Sequence, residues 1–381
     1  MNKKALILVN VGTPDDPSVR SVRRYLRAFL NDPKVIDIPP LLRKILVNLV
    51  IVPFRAPRSA AKYRELWTDL GSPLLLHMEQ LVGKLEKRTG EDTDVYGMMR
   101  YGRPALSEIL REIGPGQYER IAVLPLYPQF AESTTGTVLS MASDILKLKI
   151  KGSADKNGGT TDYILEGTAA DAEHQQEWIQ SAGKINKAQG PNEKSGLAGT
   201  VVRIIEQFYE HPGYLEAMKN VILEQEPGRF DHVLFSYHGL PMRQVQKCHP
   251  DVPVESCNCE AEMPAYGTRC YQAACYATTR LLAERTGLKP GTFSTAFQSR
   301  LSKNWMSPFT DKTLKELAAT GKKRVLVIPA SFVADCLETT FEIGLEYSEL
   351  FLEAGGTELV LTPSLNAKDE WVEGILGIVE G

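Results

Sequence analysis

The chain has 381 residues, 43% hydrophobic and 24% charged, with a formal net charge of −3. That mix belongs to a globular protein long enough for two cores. The balance offers no basic field for phosphates and no nucleic-acid-binding module is recognisable, so nucleic acid is excluded as a partner.

The opening MNKKALILVNVGTP has an apolar run too short for a secretory signal and no small-residue cleavage site, so a cytoplasmic protein is expected. Residues 5–10 read as a buried strand and 21–30 as the helix after it. The apolar stretch 41–54 is broken by Asn48 and Pro53 and falls short of the roughly 20 residues that span a bilayer. Arg43, Lys44 and Arg55 flank it, so it is expected either to pack on its own domain or to make a weak peripheral contact with a membrane. A strand at 94–98, a helix at 104–113 and a strand at 120–126 follow. The last strand leads through Tyr127 to Ser133, Thr134 and Thr135, which open a helix. Their N–H groups and hydroxyls suit an anion such as a carboxylate, or plain capping.

Between 151 and 199 the periodicity fails, and KGSADKNGG and KAQGPNEKSG read as a polar surface insertion separating halves 1–150 and 200–381. Strands are then expected at 201–205, 232–237, 292–297, 324–329 and 358–362, with helices at 214–224 and 312–320. This alternation predicts an α/β fold of two doubly wound, Rossmann-like domains with parallel sheets and a cleft between them, with ligand chemistry at the carboxyl ends of strands.

LFSYHGLP, 234–241, ends a strand and presents His238 at a turn made by Gly239 and Pro241. An imidazole there can take a proton near neutral pH or donate a lone pair to a metal; it can equally be tied into the turn by a hydrogen bond. Five of the six cysteines, Cys248, Cys257, Cys259, Cys270 and Cys275, fall within 248–275. In a reducing compartment such clustering argues for metal binding over disulfides. The first four, spaced C-x8-C-x-C-x10-C, would satisfy a [2Fe–2S] cluster or a structural zinc, with free thiols the third reading. SFVADCLETTFEIGLEY, 331–347, leaves a strand directly, with Asp335 placed to cap a helix. Glu338, Glu342 and Glu346 recur every four residues and so share one helix face. Like charges at that spacing cost helix stability; a cation route of hard oxygen ligands explains them, and a solvated acidic face has the same pattern.

LVNVGTP near the start, GSPL at 71–74, RYGRP at 100–104, LYPQ with STTG, SYHGLP, AFQSR at 296–300, and FVADCLET followed by FLEAGG stand in the order found in ferrochelatases. The chain resembles that family from residue 5 to 376, apart from 151–199 and the cysteine segment. The resemblance implies a lyase that inserts Fe2+ into protoporphyrin IX to form protohaem, with His238 accepting pyrrole protons or binding iron and Glu338 as its partner. It implies an outward acidic line through Glu342 and Glu346, Arg100 and Tyr101 near the macrocycle, and Trp305 in the pocket wall; Tyr127, Ser133 and Thr134 join these as candidate substrate contacts. Relatives often carry proline where Asn304 precedes Trp305. Some members hold a [2Fe–2S] cluster, which favours iron–sulfur over zinc at Cys248, Cys257, Cys259 and Cys270, with Cys275, in what resembles an ordinary family helix, as the alternative ligand. The FVADCLET pattern favours protoporphyrin. Rival readings are a chelatase for coproporphyrin or sirohydrochlorin, a non-catalytic haem or metal carrier, and an iron–sulfur redox protein. The sequence carries no signature of oligomeric state.

Overall fold

Short runs of Val, Ile, Leu and Ala with two faces to bury form parallel strands covered on both sides. In the computed structural model, which describes residues 3–113, 117–146, 149–150, 160–164, 200–249 and 251–380, all eight expected runs do so. β1 (Lys4–Asn10), β2 (Thr93–Met99) and β3 (Arg120–Pro125) pair in parallel, with Leu6 opposite both Val95 and Ala122. β4 (Lys149–Ile150) and β5 (Thr160–Ile164) form an antiparallel edge, and β6 (Val201–Ile205) links β5 to β3, giving the order β2-β1-β3-β6-β5-β4. β7 (His232–His238), β8 (Phe293–Gln298), β9 (Arg324–Ile328) and β10 (Glu358–Leu361) make a second, wholly parallel sheet in the order β10-β9-β7-β8.

Two features differ from the sequence division. β6, expected to open the second half, completes the parallel part of the first sheet; a hydrophobic run says that a strand is buried, not which sheet takes it. The segment 151–199, expected as a surface insertion, contributes β5 to that sheet; its remaining residues lie outside the described ones.

The last helix, Asp369–Glu380, crosses back to pack on Pro212–Glu224 beside the first sheet. A Cβ on Gly213 would stand 2.7 Å from the Cα of Gly374, so the two backbones meet only because both positions are glycine. Trp371, fully buried, packs against Phe208 and Tyr214 at ring-centroid distances of 5.6 and 6.3 Å. One continuous core runs from Leu6 and Leu124 through Tyr214 and Trp371 to Phe235 and Ile328.

Pro40–Ile45, a π-helical turn Leu46–Ile51 and Val52–Leu66 follow one another without a break. Val47, Val52, Ala56 and Ala60 face inward, whereas Leu41, Leu49 and Phe54 are 69–71% exposed. The stretch thus packs on its own domain with one face and leaves the other bare. No helix among the described residues is long and apolar enough to cross a membrane.

β7 begins at His232, whose Nε2 lies 2.8 Å from Ser294 Oγ and whose buried Nδ1 has no hydrogen-bond partner. Burial depresses its pKa from 6.5 to about 4. Between those values the unfolded chain binds the proton and the native one does not, so stability is full above pH 6.5 and is lost as pH falls towards 4. In urea unfolding at pH 7 and 5, wild type should lose stability on the order of 1 kcal/mol that His232→Gln does not lose.

Candidate active site

β7 ends on His238, in register with Gln298 at the end of β8. The His238 N–H donates to Ser331 Oγ at 3.3 Å, and its carbonyl accepts the Tyr271 hydroxyl at 2.9 Å. Its ring Nδ1 lies 2.8 Å from the Gly239 carbonyl. A carbonyl only accepts, so Nδ1 carries the proton and Nε2 is the basic nitrogen of the ring. The turn hydrogen bond thus ties Nδ1 and leaves Nε2 with its lone pair. Gly239 is required for space rather than for an unusual dihedral: an added Cβ would meet the Gln298 carbonyl oxygen at 2.9 Å.

The chain leaving β9 enters Leu337–Tyr347, which is π-helical where the sequence suggested an ordinary helix. Asp335 anchors its start, accepting the Ser364 N–H at 3.1 Å, Asn366 Nδ2 at 2.7 Å and Thr339 Oγ1 at 3.3 Å. The i→i+5 bonds widen each turn, and Glu338, Glu342 and Glu346 line one cavity. Their surroundings differ. Glu338 touches the buried Cys336 thiol, which burial and then this carboxylate hold well above the ordinary thiol range. The Tyr63 phenol is raised in the same way, by burial and then by Glu338. Glu342 accepts the Ser299 N–H at 2.9 Å and the Tyr347 hydroxyl at 2.7 Å on Oε1, and the Ser299 hydroxyl at 2.5 Å on Oε2. Ser299 stands at φ 61°, a left-handed conformation that costs a non-glycine residue free energy and is held here by that double contact. Glu346 takes Lys62 Nζ at 2.7 and 2.8 Å on its two oxygens.

The cavity these groups line has a volume of about 1250 Å³ and opens between the carboxyl edge of the second sheet and the helical run from Pro40 to Leu66. Phe29, Ile51, Leu240, Phe341 and Trp305 supply apolar wall, and Arg55 and Arg58, one helical turn apart, supply cations. The Trp305 ring lies 6.4 Å from that of His238. A smaller cavity of about 130 Å³ adjoins it, and His238 and Glu338 line both.

Of the residues expected at the site, His238, Glu338, Glu342, Glu346, Trp305 and Ser133 border the large cavity, and Tyr127 and Thr134 the smaller one. Thr134 engages its N–H and hydroxyl with the Ala131 carbonyl at 3.2 and 3.3 Å, which is turn chemistry. Arg100 and Tyr101 border neither cavity. Arg100 Nη2 donates to Asp32 at 2.7 Å and the Tyr101 hydroxyl to the same carboxylate at 2.9 Å, since a secluded carboxylate left unpaired would be strongly destabilising. Sequence reasoning missed Tyr63, Arg58, Lys62 and Ser299, and read Arg55 only as a flank of the apolar stretch 41–54 rather than as cavity lining. Ser299 alone carried a signal, standing directly after a strand in AFQSR.

The cysteines are neighbours. Cys257 and Cys259 are in hydrogen-bond contact, and burial first, then nearby thiols, pushes Cys259 up to about 12. Burial likewise raises Cys270 to about 11, with Cys248 and Cys257 near enough to add to the shift. Tyr266 donates its hydroxyl to Cys257 Sγ at 3.5 Å. Among the described residues no three His, Cys, Asp or Glu side chains stand together so as to hold a metal ion, so these thiols form no ready-made metal cage. Cys275 is buried in the helix Tyr271–Thr286, in hydrogen-bond contact with Tyr271.

The sequence profile of the family described as Ferrochelatase matches residues 3–156 and 180–381. The ferrochelatase of Coxiella burnetii (strain Dugway 5J108-111) is 37% identical over 378 residues, covering 98% of this chain and 92% of its own. That of Legionella pneumophila (strain Lens) is 36% identical over 382 residues, covering 99% and 98%. Among solved structures, SirB from Bacillus subtilis with Fe3+ aligns at a TM-score of 0.42 and 12% identity, over 99% of this chain and 94% of that one.

Proposed function

The chain belongs to the ferrochelatase family, lyases that act as metal chelatases in haem biosynthesis, and from that premise we propose that it inserts Fe2+ into protoporphyrin IX to form protohaem. The observation that carries this reading is His238: its Nδ1–H is engaged by Gly239, which leaves a basic Nε2 on a ring that shares its cavity with Glu338.

A planar porphyrin keeps its pyrrole protons inside a ring too closed for a metal to enter. A protein that grips and bends the ring exposes a nitrogen lone pair and carries the substrate part-way to the transition state. The large cavity, with apolar walls and a volume of about 1250 Å³, suits a broad flat ring. Iron entry releases two pyrrole protons; His238 would accept them in turn, passing each to water in the open cavity, and Glu338 would stabilise the imidazolium formed each time. Glu342 and Glu346 offer hard oxygen ligands to Fe2+ on its way in. Arg55 and Arg58 suit the propionate carboxylates, and Arg243, Arg300 and Lys303 add further cations to the same lining.

The bare apolar face of the run from Pro40 to Leu66 forms a lip of the cavity, since Leu46 and Ile51 line it from the same run. Lys44 and Arg55 beside that face suit anionic headgroups, so the lip of this cytoplasmic protein would rest on a membrane surface. For the cysteines, four thiols spaced C-x8-C-x-C-x10-C match in number the donor set of a [2Fe–2S] cluster or a structural zinc, although among the described residues no three of them stand close enough together to hold a metal without moving. Cys248, Cys257, Cys259 and Cys270 would hold it. Metal insertion moves no net electrons, so such a group would stabilise the segment rather than take part in turnover.

His238→Ala should lower kcat for iron insertion by about 10²–10⁴ while porphyrin binding and the unfolding midpoint stay put. Undiminished turnover would sink the assignment, faster insertion into coproporphyrin would favour that substrate, and tight haem binding without turnover would favour a carrier. Sedimentation with anionic phospholipid vesicles should pull down wild type and not a Leu49→Glu, Phe54→Glu double variant; equal behaviour removes the membrane contact. Purified protein should contain iron and acid-labile sulfide in equal amounts. Stoichiometric zinc would replace the cluster with the alternative, and metal-free thiols would end both.

A further inference from the structure

Of the three carboxylates on the π-helix, Glu346 alone forms an ion pair among the described residues. Glu342 is met by the uncharged Ser299 and Tyr347, and Glu338 stands by the protonated Cys336. Glu346 instead holds an ammonium on both of its oxygens. That ammonium comes from across the cavity: Lys62 belongs to the helix Val52–Leu66, and its Nζ also lies 4.9 Å from the centre of the Phe341 ring. Both partners are partly open to water, 37% and 42% exposed, so the pair is screened and exchangeable.

We propose that Lys62 is a resident counter-cation at the outer end of the acidic line, which an entering divalent metal must displace from Glu346, so that Lys62 sets the concentration at which the protein admits metal. The inference rests on the reading of Glu342 and Glu346 as the iron route. In the exchange one positive charge leaves the carboxylate and two arrive, which favours the metal. The lysine stem is flexible and its head strongly hydrated, so the displaced ammonium moves into solvent at little cost. An arginine would grip the same carboxylate as a planar fork and yield less readily.

The test measures Mn2+ binding to porphyrin-free protein by electron paramagnetic resonance, a metal suited to oxygen ligands rather than thiols, together with the KM for Fe2+ in anaerobic insertion. Lys62→Met should tighten Mn2+ binding and lower the Fe2+ KM by about five-fold, acting on KM rather than kcat, and Lys62→Arg should shift both the opposite way. Placed on a Glu346→Gln background, Lys62→Met should have no effect. If Lys62→Met matches wild type while Glu346→Gln weakens metal binding and use, the counter-cation role is overturned and the route stands. If Glu346→Gln also matches wild type, the route falls with it.

Discussion

β7 lies between β8 and β9 in parallel register, Phe235 opposite Thr295 on one side and Ile328 on the other, and the site exists because these strands stop at one shared edge. Parallel neighbours deliver their carboxyl ends to the same side of a sheet. β7 therefore hands out His238, β8 the Gln298–Ser299 pair, and β9 the segment that becomes the acidic π-helix. Hydrogen bonds then run between these loops: Ser331 Oγ accepts the His238 N–H, and Gln298 Nε2 donates to the Glu338 carbonyl at 2.9 Å. A one-residue slip of β7 would turn its terminal imidazole to the opposite face of the sheet.

Carboxylates stacked on one wall of a largely apolar cavity repel one another, and the fold answers each differently. The Ser299 N–H and two hydroxyls hold Glu342 in place, an ammonium balances Glu346, and Glu338 keeps only weakly acidic neighbours, a thiol and a phenol. The charge least compensated is thus the one that shares both cavities with the histidine. The contrast with Asp32 is instructive: tucked away from the cavity, it is matched at once by the Arg100 guanidinium and the Tyr101 hydroxyl. Charge is fully paired where it is tucked into the architecture and less compensated at Glu338 on the cavity wall.

Much of this was legible beforehand because the signals were local. Each of the eight expected strands is a short apolar run, and His238 and Glu338 each follow the end of one. The allegiance of Val201–Ile205 was not legible, since the same buried pattern fits either sheet. The π register of Leu337–Tyr347 was not either: a spacing of four suits both helix types, and the segment's start is held by contacts such as Asp335 with Asn366, some thirty residues away in sequence. Arg100 and Tyr101 were drawn away from the cavity by Asp32, a partner no motif pointed to. Lys62 had no signal at all, because its partner lies on the other side of a cleft that only the folded chain creates.

The clasp between Gly213 and Gly374 limits how the molecule can breathe. The final helix is bedded on Pro212–Glu224 and Trp371 is sealed into the core that both sheets share, so parting the sheets as lobes on a pivot would have to break that packing. A broad flat guest would meet, outside that packing, the run from Pro40 to Leu66, with its own π-helical turn, and the loop carrying Trp305, which border the cavity.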